Sequence, residues 1–348
     1  MAGWSPTAAS LPRTDGRVRV SADVDALLAG LERGERRALA RLLTVAEDGR
    51  PEQLRAVIGA LYPRTGRARV LGITGSPGVG KSTLTNAIAA ELRSRDRSVA
   101  VLAVDPSSPF SGGALLGDRV RMQSHHADPD VFIRSMASRG HLGGLSFATP
   151  QAALVLDAAG FDDVIIETVG VGQSEVEVAA TADTTVVALA PGMGDGIQAA
   201  KAGILEVADV FVINKADHGG AGQLESELRG MLEMGHALED PDAPAGWWPP
   251  IVRTVAVRSE GIVDLVDAFD THGAHLSASG QGERRRRDRA LHVIREIALE
   301  QVRLRFARLE DGRDPLLEAL AVKVAGRDLD PYDAADELLD ALDGGAVA

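Results

Sequence analysis

Cysteine is absent from this chain of 348 residues, and lysine is rare. Without cysteine the chain can form no disulfide and no thiolate metal site, so any metal must be held by oxygen or imidazole ligands. The 37 basic residues are almost all arginine, and the few lysines are therefore informative. They are Lys81, Lys201, Lys215 and Lys323.

Long apolar runs are also missing. No stretch is long and apolar enough to span a bilayer, and residues 1–20 lack the apolar core of a signal peptide. We therefore expect a cytoplasmic protein with no membrane partner. The net charge of −13 also argues against a nucleic-acid partner, because phosphate backbones bind basic surfaces. A run of four arginines at 284–287 is the exception, and its acidic neighbours favour a solvated helix face.

One short segment carries a strong chemical signal. An apolar strand at 70–74 leads into residues 75–82, which fit the spacing Gly-x-x-x-x-Gly-Lys-Ser. In such a loop the backbone N–H groups surround phosphate oxygens, the lysine reaches the outer phosphates and the hydroxyl binds Mg²⁺. The alternative is a glycine-rich turn between a strand and a helix. The predicted nucleotide contacts here are Gly75, Ser76, Pro77, Gly78, Val79, Gly80, Lys81, Ser82 and Thr83.

The rest of the chain predicts an α/β fold. From Ala68 onward apolar strands alternate with amphipathic helices, which indicates a P-loop domain with a mostly parallel sheet covered by helices. We predict a tail and helical extension over 1–66, the P-loop domain over 67–272 and a C-terminal helical arm over 273–348, whose apolar stripe is either core or a surface that pairs with a second subunit. The predicted strands are 68–74, 98–104, 163–167, 184–189, 210–214 and 251–257, with a Gly/Ser-rich hinge at 277–282.

Acidic residues follow two of these strands at the edge where such sheets bind ligands. Asp105 and Glu167 stand at strand ends, and Asp118 follows Asp105 in a loop. A carboxylate in this position can hold Mg²⁺ directly or through water, whereas a helix cap or turn is the alternative for Asp105. Glu167 begins the pattern acidic-x-x-Gly, whose Gly170 N–H would sense a γ-phosphate.

A second motif points to the base of the nucleotide. Asn214-Lys215-Ala216-Asp217 follows the strand at 210–213. The Asp217 carboxylate could accept hydrogen bonds from the ring N–H and exocyclic amine of guanine, a donor pair that adenine lacks. The Lys215 stem could lie over the base, while a surface turn is the alternative.

With these motifs assembled, the chain resembles the methylmalonyl-CoA mutase-associated GTPases of the MeaB/ArgK type. The resemblance runs over about residues 27–269 and is densest in the strings at 105–118 and 167–175. It implies GTP hydrolysis to GDP by a G domain with helical extensions, and homodimerisation through the C-terminal arm. The implied partner is an adenosylcobalamin-dependent acyl-CoA mutase whose cofactor loading and repair the GTPase gates.

The resemblance also assigns roles residue by residue. It implies that Lys81 and Ser82 hold phosphates and Mg²⁺, that Asp105, Asp118 and Glu167 are the metal and switch carboxylates, and that Asn214, Lys215 and Asp217 read guanine. Two positions depart from the family pattern. Gly196 replaces an acidic residue, and Val255-Ala256 replaces Ser-Ala where the alanine N–H usually meets the guanine carbonyl, so we expect Val255 to loosen that loop.

The segment after Glu167 bears on the rate of hydrolysis. Many GTPases place a water-positioning glutamine directly after acidic-x-x-Gly, whereas this chain has Val171 there. Gln173 could take that role if the glycine-flanked segment rearranges, so we predict Lys81, Glu167 and Gln173 as catalytic residues and slow turnover without a partner. Three alternatives stay open: a kinase linked to arginine or ornithine transport, a nickel metallochaperone GTPase, and a nucleotide-binding scaffold without turnover.

Overall fold

The structure is a computed structural model that describes residues 22–106, 128–138, 148–168, 174–192, 207–236, 246–311 and 315–344. The chain divides into two compact units, Met1–Arg286 and Arg287–Ala348. The domain boundaries predicted from the sequence stay predictions. None of the described helices is long and apolar enough to cross a membrane.

Parallel strands form one sheet in the first unit. They are β1 (Arg69–Thr74), β2 (Val99–Pro106), β3 (Val131–Ser138), β4 (Asp163–Thr168), β5 (Thr184–Leu189), β6 (Val210–Ile213) and β7 (Ile251–Arg253). Over the described ranges these seven strands lie in the order β3-β2-β4-β1-β5-β6-β7. This confirms the predicted α/β fold with its mostly parallel sheet. The β1 strand lies at its centre between β4 and β5, where chain connections diverge and ligands bind.

Helices cover both faces of the sheet. The first unit contains α1 (Ala22–Glu32), α2 (Arg36–Asp48), α3 (Pro51–Leu61), α4 (Lys81–Ser94), α5 (Ala148–Ala159), α6 (Ser174–Thr181), α7 (Ala221–His236) and α8 (Ile262–Ser279). The helix α9 (Gln281–Asp311) begins in the first unit, and α10 (Pro315–Gly326) and α11 (Pro331–Gly344) belong to the second. The α1–α3 helices pack with α5 over β2, β3 and β4, whereas α4 and α8 pack on the opposite face.

The edge strand β3 was not predicted from the sequence. Val131, Phe132 and Met136 are buried, but Arg134 interrupts their apolar pattern. Its guanidinium donates to Glu47 Oε2 at 2.6 Å, and Arg36 of α2 donates to the Val131 carbonyl at 2.7 Å. Arginines therefore tie this strand to the helical layer.

Two other predictions were wrong in part. The predicted strand at 251–257 ends at Arg253, and Ala256–Arg258 forms a 3₁₀ turn instead. The predicted hinge at 277–282 is mostly helical, since α8 runs to Ser279 and Leu276 is buried. Gly280, at φ 69°, is the single residue between α8 and α9.

The amino ends of the strands hold buried carboxylates with arginine partners. Asp163, fully buried, accepts Arg69 Nε at 2.8 Å and Arg97 Nε at 2.5 Å. Asp209 accepts both Nη atoms of Arg285, at 2.9 and 2.7 Å. The solvated-face interpretation of the arginine run is therefore wrong for Arg285.

A histidine is buried beside Asp209. His272 of α8 is fully buried, with Nδ1 2.9 Å from Thr184 Oγ1 and Nε2 3.3 Å from Asp209 Oδ1. Trp247 packs against its ring at a centroid distance of 4.8 Å. Burial lowers the pKa of His272 to about 4, because desolvation of the charged ring outweighs the attraction of Asp209.

This burial predicts a pH dependence of stability. The folded state favours neutral His272, whereas the unfolded chain binds a proton there more readily. The contribution of His272 to the free energy of unfolding is therefore complete above pH 6.5 and is lost as the pH falls towards about 4. Between pH 7 and 5 the loss is about 2 kcal/mol. Urea unfolding should show that His272→Leu reduces the fall in unfolding free energy over this interval, whereas His218→Leu, at an exposed site, should not. Parallel pH profiles for the parent and His272→Leu would contradict this.

Candidate functional site: a nucleotide pocket at the carboxyl edge

Two positions in the phosphate loop require glycine, both because their φ angles are positive and because a Cβ would clash with neighbouring atoms. Gly75 has φ 139°, and a Cβ there would lie 2.1 Å from the Ala188 carbonyl oxygen in β5. Gly80 has φ 94°, and a Cβ there would lie 2.7 Å from Asn214 Nδ2. The loop is therefore pressed between β5 and the segment after β6, so its path is fixed.

The loop encloses the lysine amine. Lys81 begins α4 with only 8% of its surface exposed, and its Nζ donates to the carbonyl oxygens of Gly75 at 2.6 Å and Ser76 at 3.1 Å. The helix N-terminus and this ammonium group both favour an anion at the loop. The structure thus places the Lys81 amine inside the predicted phosphate loop.

Two of the predicted metal ligands meet beside the loop. Ser82 Oγ donates to Glu167 Oε1 at 2.6 Å, and Glu167 is 3% exposed at the end of β4. These residues lie 85 positions apart, so the contact comes from the fold. A hydroxyl and a carboxylate are oxygen donors of the kind that Mg²⁺ selects, so the pair fits this metal.

Other predicted site residues lie partly or wholly outside the described residues. The backbone of Asp105 lies at the carboxyl end of β2, where Ala103 pairs with Glu167 in the parallel register. This register places Asp105 at the same edge of the sheet as Glu167. Asp118, Gly170 and Gln173 lie outside the described residues, as do Val171 and Gly196.

The buried side chain of Asn214, which follows β6, connects the phosphate loop to the loop after β7. Its Nδ2 donates to the Val79 carbonyl in the phosphate loop at 2.9 Å. Its Oδ1 accepts the Ala256 N–H at 3.1 Å and the Thr254 hydroxyl at 3.2 Å. Both amide atoms are therefore used to hold protein loops together. The Ala256 N–H, which the resemblance assigns to the guanine carbonyl, is donated to Asn214 in this structure.

Lys215 and Asp217 extend this arrangement towards solvent. Lys215 adopts a left-handed backbone, φ 56°, and its Nζ donates to the Gly78 carbonyl at 2.7 Å. The lysine stem thus spans from β6 to the phosphate loop. Asp217 Oδ2 accepts Arg258 Nη1 at 3.1 Å, a contact that the sequence analysis missed.

Val255 does not leave an open loop. It is buried, its N–H donates to the Glu260 carbonyl at 3.0 Å, and its own carbonyl accepts the Glu260 N–H at 3.3 Å. The expected loosening at this position therefore finds no support in the backbone, which closes into an antiparallel bridge.

The fold and this site define a P-loop GTPase that binds guanine nucleotide. The chain belongs to the family described as methylmalonyl-CoA mutase-associated GTPase MeaB, whose sequence profile matches residues 39–311.

Relatives agree with this placement. A protein of Pyrococcus abyssi named as a GTPase is 46% identical, over 93% of this chain and 98% of the relative. The mitochondrial methylmalonic aciduria type A homolog of Caenorhabditis elegans is 35% identical, over 76% of this chain and 70% of that protein. A crystal structure of a LAO/AO transport system kinase superposes with a TM-score of 0.65 at 29% identity, covering 94% of this chain and all of that one.

The contacts of Asn214 predict that its replacement weakens both the packing of the loops and the binding of nucleotide. Asn214→Ala would leave the Val79 carbonyl and the Ala256 N–H without their bonds, and each lost partner in a buried site costs about 1–3 kcal/mol. We expect GDP affinity to fall at least about tenfold, measured by titration with a fluorescent GDP analogue. Gln223→Ala, which removes an exposed amide bonded to Glu227, is the matched control and should bind like the parent. Unchanged affinity in Asn214→Ala would refute the connecting role.

Proposed function

We propose that this chain is a Mg²⁺-dependent GTPase that gates adenosylcobalamin delivery to, and protection of, an acyl-CoA mutase such as methylmalonyl-CoA mutase. The nucleotide part is supported above all by Asn214, which joins the phosphate loop to the guanine motif. The mutase part is supported by the family description and by the name of the Caenorhabditis elegans relative.

The metal would be held by oxygen ligands at the edge of the sheet. Ser82 and Glu167 are in contact there, and Asp105 and Asp118 are proposed to complete the set. Bound Mg²⁺ would neutralise charge on the β- and γ-phosphates. The Ser82 hydroxyl would bind the metal through an oxygen lone pair, while its proton could still be donated to Glu167.

Side-chain and backbone groups of this chain would bind the phosphates and position the attacking water. Lys81 would exchange the carbonyl oxygens of Gly75 and Ser76 for phosphate oxygens, which carry more negative charge. Gly170 would sense the γ-phosphate through its N–H. Gln173 would position the attacking water after the segment at 170–172 rearranges, and this requirement predicts slow turnover in the isolated protein.

The second unit offers a surface for self-association. Among the described side chains of α9, four large apolar ones are exposed, with exposed fractions between 40% and 64%. They are Leu291, Ile294, Leu299 and Val302. Such a row on a helix supports the proposal that the C-terminal arm pairs two copies of this chain.

Asp217 provides the test of the nucleotide part. Because its carboxylate accepts from two donors of guanine, we expect GTP to bind far more tightly than ATP, by about 2–4 kcal/mol. Asp217→Asn should shift both binding and hydrolysis towards xanthosine triphosphate, whose base has a carbonyl in place of the guanine amine. Titration and phosphate release with Mg²⁺ measure both effects.

Two results would contradict this assignment. Equal affinity of the parent for ATP and GTP would remove the guanine-reading role. Transfer of the labelled γ-phosphate to a protein or small-molecule acceptor, in place of water, would favour the kinase alternative that the name of the LAO/AO transport system kinase suggests.

A further inference from the structure

The loop that follows β7 is closed by backbone contacts around Arg258. The backbone bridge between Val255 and Glu260 closes the loop, and Ser259 and Gly261 both adopt left-handed angles, φ 56° and 73°. A Cβ at position 261 would lie 2.1 Å from the Arg253 carbonyl oxygen, so the chain passes itself closely there. The backbone of Arg258 is therefore held in one place relative to the site.

The Arg258 side chain is paired with Glu260. Its Nε donates to Glu260 Oε1 at 2.7 Å and its Nη2 to Glu260 Oε2 at 3.3 Å, which sets the plane of the guanidinium. The hydrogen bond from Arg258 lowers the pKa of Glu260, so this carboxylate stays ionised. The remaining Nη1 points to Asp217 Oδ2 at 3.1 Å.

Two neighbouring groups of the same loop do not bind the Asp217 carboxylate in place of Arg258. The Val255 side chain carries no donor, and the Ala256 N–H is already donated to Asn214. A carboxylate offers about four acceptor positions, so one bond from Arg258 leaves enough for both donors of guanine. Without that bond, rotation about the Asp217 side chain would turn one oxygen away from the base.

We propose that Arg258 is a positioning residue that orients the Asp217 carboxylate so that both of its oxygens face guanine. The inference rests on the proposed guanine-reading role of Asp217. Arg258 and Asp217 have side-chain exposures of 51% and 33%, and exposed ion pairs contribute little to folding stability. The pair is therefore suited to setting geometry, and its loss leaves the fold intact.

The test compares GDP with inosine diphosphate, which keeps the ring N–H but lacks the exocyclic amine. In Arg258→Gln, GDP binding should weaken about three- to tenfold, because a freely rotating carboxylate serves two donors poorly. Inosine diphosphate needs only one acceptor and should be affected less, so the preference for GDP should fall. Arg258→Lys keeps the charge but lacks the planar fork, and should restore the preference only in part.

Arg229→Gln is the matched control, since Arg229 is similarly exposed and pairs with Glu225 within α7. It should bind both nucleotides like the parent. An unchanged preference in Arg258→Gln, equal weakening of both nucleotides, or full restoration by lysine would overturn the positioning role. A parent protein that binds ADP as well as GDP would overturn the guanine assignment itself, and with it this inference.

Discussion

The site depends on one buried amide. Asn214 holds the phosphate loop through the Val79 carbonyl and holds the loop after β7 through the Ala256 N–H. Gly80 makes this possible, because a Cβ there would lie only 2.7 Å from the Asn214 amide nitrogen. The distance between the predicted phosphate-binding and base-binding parts is therefore set by contacts within the protein, which reduces the ordering that binding requires.

Charged groups at the amino ends and at the carboxyl ends of the strands have different roles. At the amino ends of the strands, buried Asp163 and Asp209 are paired with arginines and contribute to the fold. At the carboxyl ends, Ser82, Glu167 and Lys81 bring oxygen donors and a cation together beside a loop of backbone N–H groups. Charges at the first edge are satisfied by protein, whereas those at the second suit a phosphate and a metal.

Local patterns in the sequence predicted most of the sheet and the nucleotide motifs, because strand ends, glycines and the lysine are read over a few neighbouring residues. The features that these local patterns did not predict depend on contacts between residues distant in sequence. Arg134 broke the pattern of β3, and its partner Glu47 lies 87 positions away. Arg258 meets Asp217 across 41 positions, so no local spacing could reveal the pair. The helix that replaced the expected hinge reflects packing of Leu276, which outweighs the weak helix preference of Ser and Gly.

The central claim is that this GTPase works with a mutase and not alone. Single-turnover hydrolysis of GTP, with Mg²⁺ and with or without methylmalonyl-CoA mutase, tests it most directly. The account predicts a rate on the order of 10⁻⁴ to 10⁻² s⁻¹ for the isolated protein and a clear increase when the mutase is added, an increase that Gln173→Ala should diminish. A fast isolated enzyme whose rate is unaffected by the mutase would contradict it.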